Sequence, residues 1–322
     1  MPHLGLAHIQ AARYRNAVDV IAPAMTLHLG ILQLKIGRSA ALVCRGRTKE
    51  ELDMARDAFQ LAQGAAASYE QQKVKAIFRP LAEATLAAID ISHDDVLLDV
   101  ACGTGIVSRV IHAQVSPKAP ITGIDLNDGM IEMAREVTRD APESFAWHVG
   151  DVTKMPFADA IFSVALCQQG LQFFPDEHAA LKEIRRVLRP GGRIILTIWA
   201  GPPRFFIALA QAIERHVSRQ DATRSLAPFA YAGLGTVPEL LRSCGFDDVQ
   251  SQELTVDRII HEPEKSIPLE IKGNPVGPAV AAGGEGVMAA IVSDVLKSCA
   301  DLVRGPDLIA PQTARLFTAV AI

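Results

Sequence analysis

The stretch LLDVACGTGIVSR, residues 97–109, combines acidic and glycine residues in the pattern of a ligand-binding turn. Its apolar start predicts a buried strand ending at Val100, and the residues after the turn predict a helix. Gly103 and Gly105 would let the backbone approach a ligand, which the unpaired N–H groups of the helix would face. A dinucleotide-binding fingerprint needs a third glycine where Ser108 stands, so the turn alone specifies no ligand. A tight turn without a ligand is the alternative.

Three acids follow three successive predicted strands and narrow the chemistry. Asp99 lies near the end of the first strand, where it would repel a pyrophosphate but suit an amino group. Asp125 ends the second strand, where an acid can accept hydrogen bonds from two ribose hydroxyls. Asp151 follows the third strand and can accept a hydrogen bond from an adenine amino group. Acids at these three positions predict a ligand that combines an ammonium group, a ribose and an adenine.

Five segments resemble, in order and spacing, the motifs of the class I S-adenosylmethionine-dependent methyltransferases. They are LLDVACGTGIVSR, GIDLNDGMIEMAR, GDVTKMPF, ALCQQGLQFFPD and EIRRVLRPGGRIILTIW, and the match covers roughly residues 65–255. Within this family the sequence most resembles the small-molecule branch that includes ubiquinone and menaquinone biosynthesis enzymes. These motifs are specific to the fold and the cofactor, and they do not specify the acceptor.

The resemblance implies that the first motif holds the methionine part of S-adenosylmethionine. Asp99 and the backbone from Ala101 to Gly105 form this site, which includes Cys102 and Gly103. The motif departs slightly from the family pattern, because many members have glycine and a small or aromatic residue where Ala101 and Cys102 stand.

The resemblance also assigns the adenosine part to the ends of the second and third strands. Asp125 would bind the ribose, and Leu126 and Met130 would line the adenine. Asp151 and Val152 would contact the adenine edge.

Three further residues are implied to lie near the reacting methyl group. Cys167 and Gln168 end the fourth strand, beside the sulfonium and facing the acceptor, and Tyr69 belongs to an N-terminal helix that closes over the cofactor. The catalytic residue stays unassigned. His216 is the best histidine candidate for a base because it lies in the segment after the fifth strand, and a structural role is its alternative. A base is optional, since a phenol or enol acceptor can arrive already activated.

Alternating strand and helix patterns predict the elements that position these residues. Short buried strands separated by helices favour an α/β fold with a doubly wound, mostly parallel sheet. The resemblance implies seven strands in a Rossmann-like methyltransferase arrangement. Inserts near residues 200–238 and 260–312 follow the fifth strand and precede the last one, so we expect them to form a lid over the carboxyl edge of the sheet.

Residues 1–64 are predicted to be an accessory arm and residues 65–322 the methyltransferase domain. Asp19 is the only acid before residue 48, and a basic, acid-poor start can be a transit peptide. The apolar stretch VDVIAPAMTLHLGILQLKIG argues instead for packing, and TKEELDMARDAFQLAQ predicts a helix. The arm is expected to be helical and to take part in a homodimer contact, with a poorly ordered extension as the alternative.

Composition limits the partners and the compartment. The chain has 322 residues and a net charge of −4, so no broad basic field for nucleic acid is expected. Its five cysteines form no CxxC pair, which argues against a metal site and a disulfide framework and favours a cytoplasmic location. No apolar run approaches 18 residues, so no membrane span is predicted.

Together these features predict transfer of the methyl group of S-adenosylmethionine to a small, apolar or aromatic organic acceptor, with S-adenosylhomocysteine as the product. One alternative is a non-catalytic interaction or regulatory protein with this fold, against which the retained Asp99, Asp125 and Asp151 argue. Another is a methyltransferase acting on a macromolecule, which the net charge and the sequence CQQG in place of an NPPY-type motif disfavour.

Overall fold

Eight strands form one sheet in the part of the chain that the structure describes, residues 66–322 of a computed structural model. The strands are β1 (Leu97–Val100), β2 (Ile121–Asp125), β3 (Phe145–Val149), β4 (Phe162–Gln168), β5 (Leu188–Trp199), β6 (Phe246–His261), β7 (Val303–Arg304) and β8 (Asp307–Ala321). Their order across the sheet is β3-β2-β1-β4-β5-β8-β6, and β7 pairs with β8. The predicted accessory arm, residues 1–64, lies outside the described residues.

The sheet is mostly parallel, as the sequence predicted. Strands β1 to β5 pair in parallel, whereas β8 runs antiparallel between β5 and β6. The prediction of an α/β doubly wound fold is confirmed. The sheet has one strand more than the predicted seven, because the two residues of β7 form a short hairpin with the start of β8.

Helices connect these strands. They are α1 (Ala66–Ser68), a π-helical segment (Tyr69–Phe78), α2 (Arg79–Ala87), α3 (Ile106–Val115), α4 (Asp128–Val137), α5 (Glu177–Val187), α6 (Arg204–His216), α7 (Arg219–Ser225), α8 (Val237–Ser243), α9 (Pro263–Lys272), α10 (Gly277–Ala282) and α11 (Gly284–Ser298). Asp176 caps α5 by accepting a hydrogen bond from the amide of Ala179 at 2.9 Å. None of the helices in residues 66–322 has the length and apolar character needed to cross a membrane.

Helices cover both faces of the central strands, which explains why β1 is a continuous apolar run apart from Asp99. Leu98 and Val100 pack into the core beside α5. Leu97, on the other face, packs with residues of α2 and α3. A parallel strand covered on both faces has no solvent side, so its residues do not alternate between apolar and polar.

The segments predicted as inserts contain five of the helices, α6, α7, α9, α10 and α11, and α8 begins at the end of the first insert. Phe205, Ile213, Ile271, Ile291 and Val295 are buried in one apolar cluster that joins α6, α9 and α11. The last helix begins at Gly284, and β5 begins at Leu188, directly after α5. The RPGG residues after α5 therefore belong to an irregular start of β5, where the register with β4 shifts.

Trp147 of β3 explains part of the glycine pattern after β1. Its indole ring lies so close to Gly105 and Gly123 that a Cβ on either glycine would come within 2.3 Å of a ring atom. The ring is fixed by a hydrogen bond from Nε1 to Thr138 Oγ1 at 3.0 Å and by stacking on Phe145 at 5.4 Å. Gly105 therefore makes room for packing, and it does not face the cavity described below.

Alanine substitutions at Gly103 and Gly105 separate backbone strain from packing. Both glycines have positive φ, so either substitution strains the backbone by about 1–2 kcal/mol. At Gly105 the clash with Trp147 adds about 1–3 kcal/mol, whereas a Cβ at Gly103 meets no atom within 4 Å. We expect Gly105→Ala to lower the free energy of unfolding more than Gly103→Ala does, as measured by urea denaturation.

The double variant Gly105→Ala/Trp147→Phe is the control for this packing role. Phenylalanine lacks the indole atoms nearest Gly105, so this variant should recover part of the lost stability. Equal losses for the two alanine variants, or no recovery in the double variant, would contradict the assignment.

Candidate functional site

A cavity of about 500 Å³ lies at the carboxyl edge of the parallel strands. It collects most of the predicted cofactor residues, since parallel strands end at the same edge of a sheet. The predicted residues that line it are Tyr69, Ala101, Gly103, Asp125, Leu126, Met130, Asp151, Val152 and Gln168.

The Asp125 carboxylate joins the ends of β1 and β2 at one side of this cavity. It accepts hydrogen bonds from the amides of Gly103 at 2.8 Å and Asn127 at 2.9 Å. Burial raises the pKa of this carboxyl, and the amide hydrogen bonds oppose that shift by stabilising the ionised form. A carboxylate offers about four acceptor sites, so Asp125 keeps acceptor capacity for a ligand in the cavity.

The loops after β2 and β3 present an apolar surface beside an acid. The Leu126 side chain is 63% exposed, although it lies within the cavity lining, and Met130 lies next to it in the lining. Asp151 accepts a hydrogen bond from the amide of Thr153 at 2.8 Å and lines the cavity together with Val152. Apolar side chains with one acceptor at their edge fit an adenine ring and its amino group.

Asp99 does not line the cavity, contrary to the expectation that it contacts an amino group. Its carboxylate accepts hydrogen bonds from Ser108, from Oγ at 2.7 Å and from the amide at 3.2 Å, and the residue is 1% exposed. Burial raises the pKa of Asp99 to about 7, against the hydrogen bonds from Ser108, which lower it. Asp99 therefore holds the start of α3 against β1, behind the glycine turn.

Cys102, Gly105 and Cys167 also lie outside the cavity lining. The Cys167 side chain points into the apolar core, because neighbouring residues of a strand face opposite sides and Gln168 takes the cavity side. Burial raises the pKa of the Cys167 thiol to about 12 and that of Cys102 well above its usual value. Both thiols are therefore protonated packing groups at neutral pH.

His216 lies away from the cavity and is not placed to act as a base there. It ends α6, and its Nε2 is 2.8 Å from a carboxylate oxygen of Asp294 in α11. Arg215 pairs with the same carboxylate. No histidine lines the cavity among residues 66–322, so the catalytic residue remains unassigned.

Glu70 attaches the π-helical segment to the glycine turn by a hydrogen bond and to α3 by an ion pair. Glu70 accepts hydrogen bonds from Thr104 Oγ1 at 2.6 Å and from Arg109 Nη2 at 2.9 Å. At the other end of the segment, Gln168 Nε2 donates to the carbonyl of Phe78 at 3.1 Å. These contacts hold Tyr69 and Phe78 in the cavity wall, where the sequence predicted a helix that closes over the cofactor.

The other end of the cavity is aromatic, and Trp199, Phe206 and Phe229, which form it, were not predicted from the sequence. A chain of ring contacts runs from Phe78 to Trp199, from Trp199 to Phe229, and from Phe229 to Phe206, with ring centroids 4.8–6.3 Å apart. Phe206 and Phe229 come from the predicted insert after β5. Tyr69 joins this chain through a stacked contact with Phe78 at 5.3 Å.

Three charged residues complete this end of the cavity: Lys73, Arg258 and Glu270. Lys73 Nζ lies 3.0 Å from Glu270, and Arg258 Nη1 lies 3.6 Å from the same carboxylate. The sequence contained one signal for Arg258, because it occupies the inward position of β6 between Val256 and Ile260. A charged residue at an inward strand position indicates a polar or ligand-binding environment. Among residues 66–322, no three histidine, cysteine or acidic side chains are grouped closely enough to hold a metal ion.

Comparison with known proteins identifies the family. The methyltransferase domain family matches residues 98–196, from β1 to β5. A demethylmenaquinone methyltransferase of Staphylococcus aureus is 34% identical over 175 residues, which cover 49% of this chain and 70% of that protein. The chain belongs to the class I S-adenosylmethionine-dependent methyltransferases. It is an enzyme of this family, with S-adenosylmethionine as its cofactor, and it resembles the quinone biosynthesis members.

The fold of this methyltransferase is also found in a solved structure. The YcgJ protein from Bacillus subtilis aligns with a TM-score of 0.50 and 17% sequence identity, covering 74% of this chain and 97% of that one. At this identity the likeness supports the fold alone.

Asp99→Asn tests the buried state of the Asp99 carboxyl. Because the pKa is about 7 in the folded protein and 3.8 in its usual state, folding binds a proton between these values. The stability of the wild type relative to Asp99→Asn should fall as the pH rises from about 4 to about 7, by up to about 1.4 kcal/mol per pH unit. It should level off above that range.

Urea unfolding of both proteins at matched pH values measures this difference, in which the other titrating groups cancel. A stability difference that is constant from pH 4 to pH 8 would contradict the burial of an ionisable Asp99.

Proposed function

We propose that the protein transfers the methyl group of S-adenosylmethionine to a small, apolar or aromatic organic acceptor. This proposal rests on the fact that one cavity has both an acid-lined end, at Asp125 and Asp151, and an aromatic end, at Trp199, Phe206 and Phe229. Because these aromatic side chains are almost fully buried, this end suits a small body better than an exposed macromolecular chain. For the same reason, we propose that nucleic acid is not the acceptor.

We propose that the acid-lined end binds the adenosine part of the cofactor. The free acceptor capacity of Asp125 suits the ribose hydroxyls, and the exposed face of Leu126 with Met130 suits the adenine ring. Asp151 and Val152 would contact the adenine edge, and the backbone from Ala101 to Gly103 would lie along the methionine part.

In this arrangement the residues between the two ends act by position. Tyr69, Phe78 and Gln168 would hold the acceptor in line with the methyl group and exclude water from the reacting atoms. The cofactor supplies an electrophilic methyl group whose bond to sulfur breaks with the electron pair left on sulfur, while a lone pair of the acceptor forms the new bond. An acceptor that is already ionised needs no base, which agrees with the absence of histidine from the cavity lining of residues 66–322.

The cysteines support work in a reducing compartment, which we propose to be the cytoplasm. Cys102, Cys167, Cys244 and Cys299 are all unpaired and buried. The role of residues 1–64 as a dimer contact stays a prediction, because they lie outside the described residues.

Binding of the cofactor tests the acid-lined end. Calorimetric titration with S-adenosylmethionine and S-adenosylhomocysteine should show micromolar affinity for the wild type. Asp125→Ala should weaken both affinities by about tenfold or more, the scale of a lost charge-assisted hydrogen bond. Asp140→Ala is the matched control, because Asp140 is an exposed acid outside the cavity lining.

Release of S-adenosylhomocysteine in the presence of a panel of phenols and enols then measures transfer. Folded wild-type protein that binds neither nucleoside would contradict the proposal, as would an Asp140→Ala variant that loses as much affinity as Asp125→Ala.

A further inference from the structure

The aromatic end of the cavity contains more positive than negative charge. Lys73 and Arg258 share one carboxylate, that of Glu270, and the three side chains are 15%, 6% and 14% exposed. Burial alone would raise the pKa of Glu270, but the nearby charges of Lys73 and Arg258 together lower it, so the carboxylate is ionised. Burial lowers the pKa of Arg258, and the charge of Glu270 opposes that shift. A guanidinium starts from so high a pKa that Arg258 stays protonated at neutral pH. The cluster therefore carries one unbalanced positive charge.

An unbalanced charge away from water is costly unless a partner compensates it. The lining of a cavity is a place where a ligand can provide that partner. A net positive cluster in such a lining is complementary to an anionic group.

Arg258 is fixed in place by its neighbours, and its Nη1 already lies 3.6 Å from the Glu270 carboxylate. Its Nε donates to Gln312 Oε1 at 3.1 Å, and its guanidinium carbon lies 5.0 Å from the ring centroid of Phe206. The structure records no hydrogen bond from Nη1 or Nη2 to another residue in the range 66–322, and Arg258 lines the cavity. A guanidinium held in this way can still donate a charge-assisted hydrogen bond from Nη2 to a carboxylate.

The position of Arg258 in the sheet associates it with the acceptor. It lies on β6, the edge strand opposite β3, whereas the residues that fit the adenosine follow β2 and β3. The aromatic contacts that start at Phe78 end at Phe206, the ring beneath Arg258. An acceptor with an aromatic ring and an acidic group at one end would place its ring against these aromatic side chains and its acidic group at Arg258.

We propose that Arg258 and Lys73 bind an anionic group of the acceptor, so that the acceptor is an aromatic or apolar carboxylic acid. This inference rests on the proposed function, since it names the acceptor class for the same cavity. The methionine carboxylate of the cofactor is the other source of the same chemistry, and the experiment below distinguishes the two.

Matched acids and amides test the charge preference directly. The probes are benzoate and benzamide, 1-naphthoate and 1-naphthamide, and 4-phenylbutyrate and 4-phenylbutyramide, titrated with and without saturating S-adenosylhomocysteine. At least one acid should bind about tenfold or more tightly than its amide, the scale of a hydrogen bond to a charged group. This comparison needs only the wild-type protein, so it does not depend on any variant folding.

Two variants test whether the preference for the acid over the amide depends on the charge of Arg258. Arg258→Met keeps the apolar length of the side chain and should abolish the preference for the acid. Glu270→Gln removes the competing carboxylate, so it should keep or increase that preference. A purely structural role would predict loss of binding in both variants, because each disturbs the same contacts between the π-helical segment, α9 and β6.

Titration of Arg258→Met with nucleosides shows whether the cluster binds the carboxylate of the acceptor or the methionine carboxylate of the cofactor. Arg258→Met should leave the affinity for S-adenosylhomocysteine and for 5′-methylthioadenosine, which lacks the amino acid part, unchanged within about threefold. A selective loss of S-adenosylhomocysteine binding would assign the cluster to the cofactor and overturn the proposal.

Equal binding of acid and amide in every pair would also overturn it, as would a preference that survives Arg258→Met. Failure of the proposed function would give a different result, because the wild-type protein would then not bind S-adenosylhomocysteine. The preference for the acid over the amide would still be measurable in the titrations without S-adenosylhomocysteine.

Discussion

The hydrogen bond from the Gly103 amide to the Asp125 carboxylate is the contact on which the site depends. It joins the turn after β1 to the end of β2 at 2.8 Å, so it holds the backbone of the turn against the end of the neighbouring strand. The open side of that turn faces the cavity, because a Cβ on Gly103 would meet no atom within 4 Å. Behind the turn, the Trp147 ring packs against Gly105, and the Ser108 hydroxyl donates a hydrogen bond to Asp99. Packing behind the turn therefore presents the backbone and one carboxylate to a ligand in front of it.

The cavity has opposite charge at its two ends, and this difference follows from where the elements come from. The acids at the carboxyl ends of the parallel strands belong to the part of the fold that matches the family. Lys73 comes from the π-helical segment, Glu270 from α9, and Arg258 from β6, at the far edge of the sheet. A cationic sulfonium between these ends would face Asp125 on one side, and an anionic acceptor would approach it from the other, which favours transfer of a positively charged methyl group. In the proposed arrangement, the nucleoside binds at the ends of the parallel strands and the acceptor binds at the far edge of the same sheet.

The sequence predicted the fold and much of the acid-lined end for one physical reason. Parallel strands end at one edge of a sheet, so acids placed after strands, such as Asp125 and Asp151, meet there. Gln168 and the apolar residues beside the acids were implied by the family resemblance. The sequence predicted the direction of side chains on the strands less well. Asp99 and Cys167 belong to the expected strands, yet their side chains point into the interior, because direction depends on pleat and register. The cluster around Glu270 was not predicted, since Lys73 and Glu270 lie 197 residues apart in the sequence. Contacts between such distant segments depend on tertiary packing, which no local pattern encodes.

We propose that one cavity holds the cofactor at Asp125 and directs its reacting end toward the aromatic residues and Arg258. A crystal structure of the protein with S-adenosylhomocysteine would test this arrangement. In that complex the ribose hydroxyls should lie within hydrogen-bond distance of Asp125, the adenine should lie on Leu126, and the sulfur should face Gln168 and the aromatic end. A complex in which the nucleoside binds elsewhere, or in which its sulfur faces away from Gln168 and Trp199, would contradict it.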